Sequence, residues 1–167
     1  MLRGFAAVLL ALSCFSCWAE TYQGKVVGVS DGDTITVLDG SKIQHKVRLA
    51  GIDAPEKNQP YGQASKTHLS NLVFGKLVTI ETQKLDRYKR EIGMVLSDGK
   101  DINLAQIEAG MAWHYKQYQR DQSPADRRLY SDTERVAQLT RKGLWADKSP
   151  IPPWEFRKSS GQLKKGF

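Results

Sequence analysis

Apolar residues that alternate along the chain, closed repeatedly by Asp-Gly, limit the folds open to it more than any other feature. Val27 and Val29 precede Asp31-Gly32, and Ile35 and Val37 follow it, so residues 22–38 are expected to form two strands about a tight turn. Residues 46–52, 77–81 and 92–96 add three β-rich runs, which brings the expected strands to five. Asp39-Gly40 and Asp98-Gly99 repeat the turn chemistry, in which glycine accepts positive φ and aspartate bonds its own backbone.

Helical periodicity enters between and after these strands. Ala64, His68, Leu69, Leu72 and Val73 share helical spacings, with Gly75 placed as a left-handed cap. A second, short helix is expected from Ile102 to Ala109, capped by Asp101, turning Leu104 and Ile107 inward and ending at Gly110. Ser123-Pro124-Ala125-Asp126 starts a third, with Leu129, Thr133, Val136 and Thr140 as its buried stripe and an end near Lys142, before Gly143. Pro150-Ile151-Pro152-Pro153-Trp154 is expected as a docked extended arm, and Lys158–Phe167 as a frayed basic tail. Strands with helices inserted and appended, rather than alternating, give an α+β fold: a five-stranded OB-type β-barrel with about three helices.

The amino terminus reads as an export signal. Arg3 and the apolar run Phe5–Leu12, too short to span a bilayer, precede Cys17-Trp18-Ala19, so residues 1–19 are expected to be a signal peptide cleaved near Ala19. Lipoprotein anchoring at Cys14 is the second reading, because Ala11 stands where an acylation signal usually carries Leu. Residues 20–147 then form one domain and residues 148–167 a Pro-rich, then basic tail. The mature chain is expected to be a secreted or periplasmic monomer without stable membrane association. Both cysteines would leave with the signal, which removes thiol nucleophiles, thiolate metal sites and disulfides from consideration. A formal charge of +7 is compatible with a polyanionic partner, and equally with solubility alone.

Chemistry is concentrated in acids at turns and strand ends: Asp31, Asp33, Asp53 and Glu56. Hydrolysing a phosphodiester needs a cation on the phosphate, a positioned water and donors for the charge that develops on oxygen. Carboxylates and carbonyls suit hard cations, Ca²⁺ first and Mg²⁺ second, and three scattered histidines offer softer metals little. Asp31-Gly32-Asp33 by itself resembles the start of an EF-hand loop but lacks the ligands that must follow. Arg48 precedes Asp53 by an odd separation, which on a regular strand points the two side chains to opposite faces. Gly51 between them is expected to turn the chain so that both reach one rim. His45, His68 and His114 share no metal spacing and are assigned no catalytic role.

Asp31-Gly32-Asp33-Thr34, Val47 to Glu56 and Asp86-Arg87-Tyr88-Lys89-Arg90, in this order and spacing, resemble the staphylococcal nuclease family. The resemblance runs from about Tyr22 to Trp145, and Pro152-Pro153-Trp154-Glu155-Phe156-Arg157 is similar to the ending of exported bacterial members. It implies that Asp33 and Asp53 bind Ca²⁺ through their carboxylates and Ala54 through its backbone carbonyl, a role that tolerates alanine where relatives carry threonine. It implies that Glu56 orients or deprotonates the attacking water, and that Arg48 and Arg90 grip the phosphate with planar forks that lysine lacks. Lys89 replaces the glycine usual before the second arginine, at a cost of about 1 kcal/mol if its backbone is left-handed. Lys57–Tyr61 is shorter than the corresponding loop of the best-known member. Arg87, Tyr88, Tyr115 and Tyr118 resemble the groups that line the nucleotide pocket, while Trp113, Tyr115 and Tyr118 are also suited to packing the third helix on the barrel.

The expected function is therefore an exported, Ca²⁺-dependent endonuclease acting on DNA and RNA, for which the resemblance implies 3′-phosphate and 5′-hydroxyl ends. A non-catalytic OB-fold module that binds nucleic acid is the alternative, and a basic protein that binds surface polyanions is a third.

Overall fold

A computed structural model of the chain describes residues 20–163. The expected signal segment, with Cys14, and the last four residues lie outside the described residues. Eight strands follow in chain order: β1 Glu20–Val29, β2 Thr34–Asp39, β3 Gln44–Leu49, β4 Ile52–Asp53, β5 Leu77–Leu85, β6 Glu91–Ser97, β7 Lys100–Asp101 and β8 Trp113–His114. Helices are α1 Gly62–Val73, α2 Ile102–Glu108, α3 Pro124–Leu139 and α4 Pro153–Leu163, with 3₁₀ turns at Lys116–Asp121 and Gly143–Ala146.

Five of these strands close the expected barrel. β1 pairs antiparallel with β2 and β5, β2 with β3, and β5 with β6; a parallel pairing of β3 with β6 completes the ring. A register shift between Val26 and Gly28 bends β1, as a bulge does where a sheet must curl. Val26, Ile35, Val37, Val47, Leu49, Ile80 and Val95 fill the interior, and alternation along each strand is what turns them inward. Leu69 and Val73 of α1, Ile102 and Ile107 of α2 and Tyr130 of α3 join the same core, so these three helices pack on the barrel. The fold is α+β, an OB-type barrel with appended helices.

Local signals account for most element ends. Asp101 accepts from the Leu104 amide and Ser123 from the Asp126 amide, as their cap positions require. Asp98 and Gly99 both have positive φ, the mark of a tight hairpin turn.

Four expectations need correction. The strand expected over 46–52 ends at Leu49, and Ala50-Gly51 turn before β4. The α3 stripe is Tyr130, Glu134 and Ala137, whereas Leu129 and Val136 are exposed, because Glu134 enters the interior to accept from the His114 amide. The same helix ends at Leu139 rather than near Lys142, and Arg141 already carries positive φ before Gly143 does. Most consequentially, the expected extended arm and frayed tail contain α4: Pro153 occupies its first turn, where a missing amide hydrogen costs nothing. Among the described residues no helix is long and apolar enough to cross a membrane.

Candidate active site

Register brings the first two site residues together. Thr34 lies opposite Arg48 in the β2–β3 ladder, so Asp33 at the β2 entrance is set beside that arginine. The Leu49 amide donates to the Asp33 carbonyl at 2.8 Å and holds the approach closed. Thr34 Oγ1 donates to Asp33 Oδ1 at 2.9 Å, and the Ala54 amide donates to Asp33 Oδ2 at 3.2 Å.

Asp53 arrives from the other side through a glycine turn. Gly51 has φ 73, and β4 pairs with β8 so that Asp53 faces Trp113. Asn103, fully buried on α2, donates to the carbonyls of Ala50 and Gly93 and accepts from the Val95 amide, which clamps this turn to β6. The result is that one nitrogen of Arg48 meets both acids, Asp53 Oδ1 at 2.9 Å and Asp33 Oδ2 at 3.3 Å.

Arg90 reaches the same rim from the β5–β6 turn. Its guanidinium is held by Asp86 at 2.7 Å and extends to Thr34 Oγ1 at 3.4 Å, one hydrogen bond from Asp33. Lys89 has φ 60, so the left-handed geometry expected at this glycine-like position is present. Glu56 sits in a tight loop in which its amide donates to Gln59 Oε1 and the Gln59 amide donates to its carbonyl. Gly62 completes the loop, where an added Cβ would fall 2.0 Å from the Glu56 carbonyl oxygen.

Burial sets the electrostatics. Removal from water pushes the Asp53 carboxyl upward in spite of its arginine neighbours, and burial together with Asp33 pushes Asp31 up to about 6. Burial opposes the charge on Arg48, but Asp33 and Asp53 outweigh it and hold the guanidinium above its usual range. This is a rim where negative charge is crowded and positive charge is stabilised.

The aromatic candidates flank the two arginines. Tyr115 lies under the Arg48 guanidinium at 5.6 Å and beside Tyr118 at 4.9 Å, while exposed Tyr88 stands between Arg87 at 4.8 Å and Arg90 at 5.4 Å. Trp113 packs against both Trp145 and Trp154. The histidines are structural in their contacts: His45, in β3, binds Asp39 and Glu91, His68 binds Gln106, and His114 binds Gln122.

Thus Asp33, Arg48, Asp53, Ala54 and Arg90 are linked directly or through Thr34. Among the described residues, Glu56 joins them through the side chain of a residue to which the sequence assigns no role. Arg157 of α4 donates to Asp53 Oδ1 at 3.2 Å, to Asp53 Oδ2 at 2.8 Å and to Glu56 Oε1 at 2.7 Å. A signal was available: Trp154 and Arg157 stand three apart and share one helical face. Among the described residues, no cluster of three or more His, Cys, Asp or Glu side chains is arranged to hold a metal; the two acids that do come together, Asp33 and Asp53, meet through Arg48.

Comparison with known proteins identifies a family for the chain. The family described as staphylococcal nuclease homologue matches residues 46–147. An uncharacterized endonuclease of Haemophilus influenzae is 42% identical over 91% of this chain and 83% of its own length. An uncharacterized endonuclease of Escherichia coli O157:H7 is 38% identical over 93% of this chain and 98% of its own. A micrococcal nuclease of Shigella flexneri is 35% identical over 95% of this chain and 93% of its own.

Proposed function

The chain belongs to the staphylococcal nuclease family and is a nuclease by that membership, and from this premise we propose that it is an exported Ca²⁺-dependent endonuclease cleaving DNA and RNA at the rim built by Asp33, Arg48, Asp53, Glu56 and Arg90. The observation that carries the reading is the single Arg48 nitrogen shared by Asp33, in the bend before β2, and Asp53, in β4.

The donor set fits a hard divalent cation. Both side chains offer oxygen only, and the guanidinium of Arg157 lies on Asp53 as a positively charged stand-in. Asp33 and Asp53 would hold the ion, with the Ala54 carbonyl completing the protein's share. When bound, it supplies positive charge to the phosphate and weakens the ester bond to attack.

The chain's own residues do the rest. Arg48 and Arg90 present planar forks to the phosphate oxygens, and each is preset by an acid that fixes its orientation, Asp53 for Arg48 and Asp86 for Arg90. Glu56, on its closed loop, accepts a hydrogen bond from the attacking water and aims it along the scissile bond. Exposed Tyr88 and half-buried Tyr115, each beside an arginine, offer ring faces to bases of a single-stranded or frayed substrate. The non-catalytic alternative predicts that an acid or arginine is missing, and all five positions are filled.

The test is digestion of single- and double-stranded DNA and RNA by the purified chain across Ca²⁺, Mg²⁺ and chelator, with product ends identified. Hydrolysis in Ca²⁺, its loss with chelator and 3′-phosphate ends are expected. Nucleic-acid binding without cleavage in any cation would return the reading to a binding module. Export is supported by the basic start and short apolar run ahead of Glu20, and N-terminal sequencing of protein recovered outside the cytoplasm tests it.

A further inference from the structure

Helix α4 bears on the candidate site through one side chain. Its polar ties to the rest of the chain, among the described residues, are the bonds of Arg157 to Asp53 and Glu56. The other tie is aromatic: Trp154 stacks on Tyr115 at 5.5 Å and 12°, and meets the edge of Trp113 at 5.7 Å. A Gln59 side-chain bond to the Ile151 carbonyl anchors the segment that leads into the helix. Pro153, its first residue, is buried and fixes the start of the helix, and beyond it the helix meets the rim by one ring and one guanidinium.

The atoms it covers are those the proposed reaction needs. Arg157 donates to both oxygens of Asp53 and to one of Glu56, which are the acid assigned to the cation and the acid assigned to water. Arg48 also touches Asp53, but it is fixed in the barrel wall with its side chain 13% exposed. The Arg157 side chain is 41% exposed and comes from 104 residues away along the chain. A divalent ion on Asp53 would face that second guanidinium at close range, and like charges so placed repel.

We propose that α4 is an autoinhibitory latch, in which Arg157 occupies the cationic position between Asp53 and Glu56 and is displaced when the divalent cation binds; this rests on the assignment of Asp53 to the cation. Cation loading then frees Glu56 and lifts Trp154 from Tyr115, which opens the rim beside Arg48 to substrate. Apparent cation affinity is lowered by the fraction of molecules with the latch closed, so a latch closed about nine-tenths of the time weakens it roughly tenfold.

The experiment is calcium chloride titration of the full chain without nucleic acid, by calorimetry and by tryptophan emission, for the wild type, Arg157→Gln, Arg157→Lys and Trp154→Phe. Circular dichroism checks that each variant is folded. Expected results are roughly tenfold tighter binding in Arg157→Gln, a smaller gain in Arg157→Lys, and a cation-induced emission change in the wild type that Trp154→Phe removes. Unchanged or weaker binding in folded Arg157→Gln overturns the latch and leaves the calcium assignment standing, as does calcium binding with no Trp154-dependent change. Absence of calcium binding in both the wild type and Arg157→Gln overturns the calcium assignment and the latch with it.

Discussion

Arg48 and Asp53, five residues apart in the chain, meet at 2.9 Å because the backbone reverses at Gly51, whose φ is 73. On a continuous strand the two would face opposite ways. The site therefore depends on a residue that carries no functional group.

Substituting Gly51→Ala tests this dependence. Left-handed geometry costs a non-glycine residue about 1–2 kcal/mol, and the new Cβ would fall 2.4 Å from the Gln122 side chain. Urea denaturation should show a loss of at least about that size, with turnover falling because Asp53 moves relative to Arg48. Full activity at reduced stability would mean that the turn does not position the acid.

Arg48→Lys separates charge from geometry. An ammonium keeps the positive charge but lacks the planar fork, of which one nitrogen meets both Asp33 and Asp53 and the others are left for the proposed phosphate contact. The kcat should fall roughly 10² to 10³-fold with KM changed far less. Wild-type turnover in this variant would remove Arg48 from the transition state.

His45 gives the fold a pH dependence. Burial alone would lower its pKa, but bonds to Glu91 at 2.7 Å and Asp39 at 3.2 Å reverse this and hold it above the ordinary 6.5. A raised folded value means that the stabilisation is fully present below 6.5 and is lost as pH climbs through the higher folded value. The urea midpoint should therefore decline with rising pH above 6.5, and His45→Gln should flatten that part of the profile. A wild-type midpoint that stays level or rises over that interval would contradict it.

Much of this architecture was legible in the residues, and the failures have local causes. Alternation and Asp-Gly turns located the barrel strands, and Asp101 and Ser123 marked their helices, because caps and turns are short-range chemistry. The α3 stripe was misread because a buried Glu134, satisfied by the His114 amide and Lys116, does not look apolar. The prolines from Pro150 to Pro153 lead to the expectation of an extended arm, although proline suits a first turn, and α4 starts at Pro153. Missing the helix hid Arg157, whose contact with Asp53 spans 104 residues and whose local sign is its three-residue spacing from Trp154. Arg90 was legible only through the resemblance, since its place depends on Asp86 and Thr34 together.

Whether Asp33 and Asp53 share one cation is answered most directly by calorimetric titration of calcium into the wild type, Asp33→Asn and Asp53→Asn, with hydrolysis of DNA followed on the same samples. One ion per chain in the wild type is predicted, with binding and hydrolysis lost together in each variant. Calcium binding and cleavage that survive both substitutions would contradict the account.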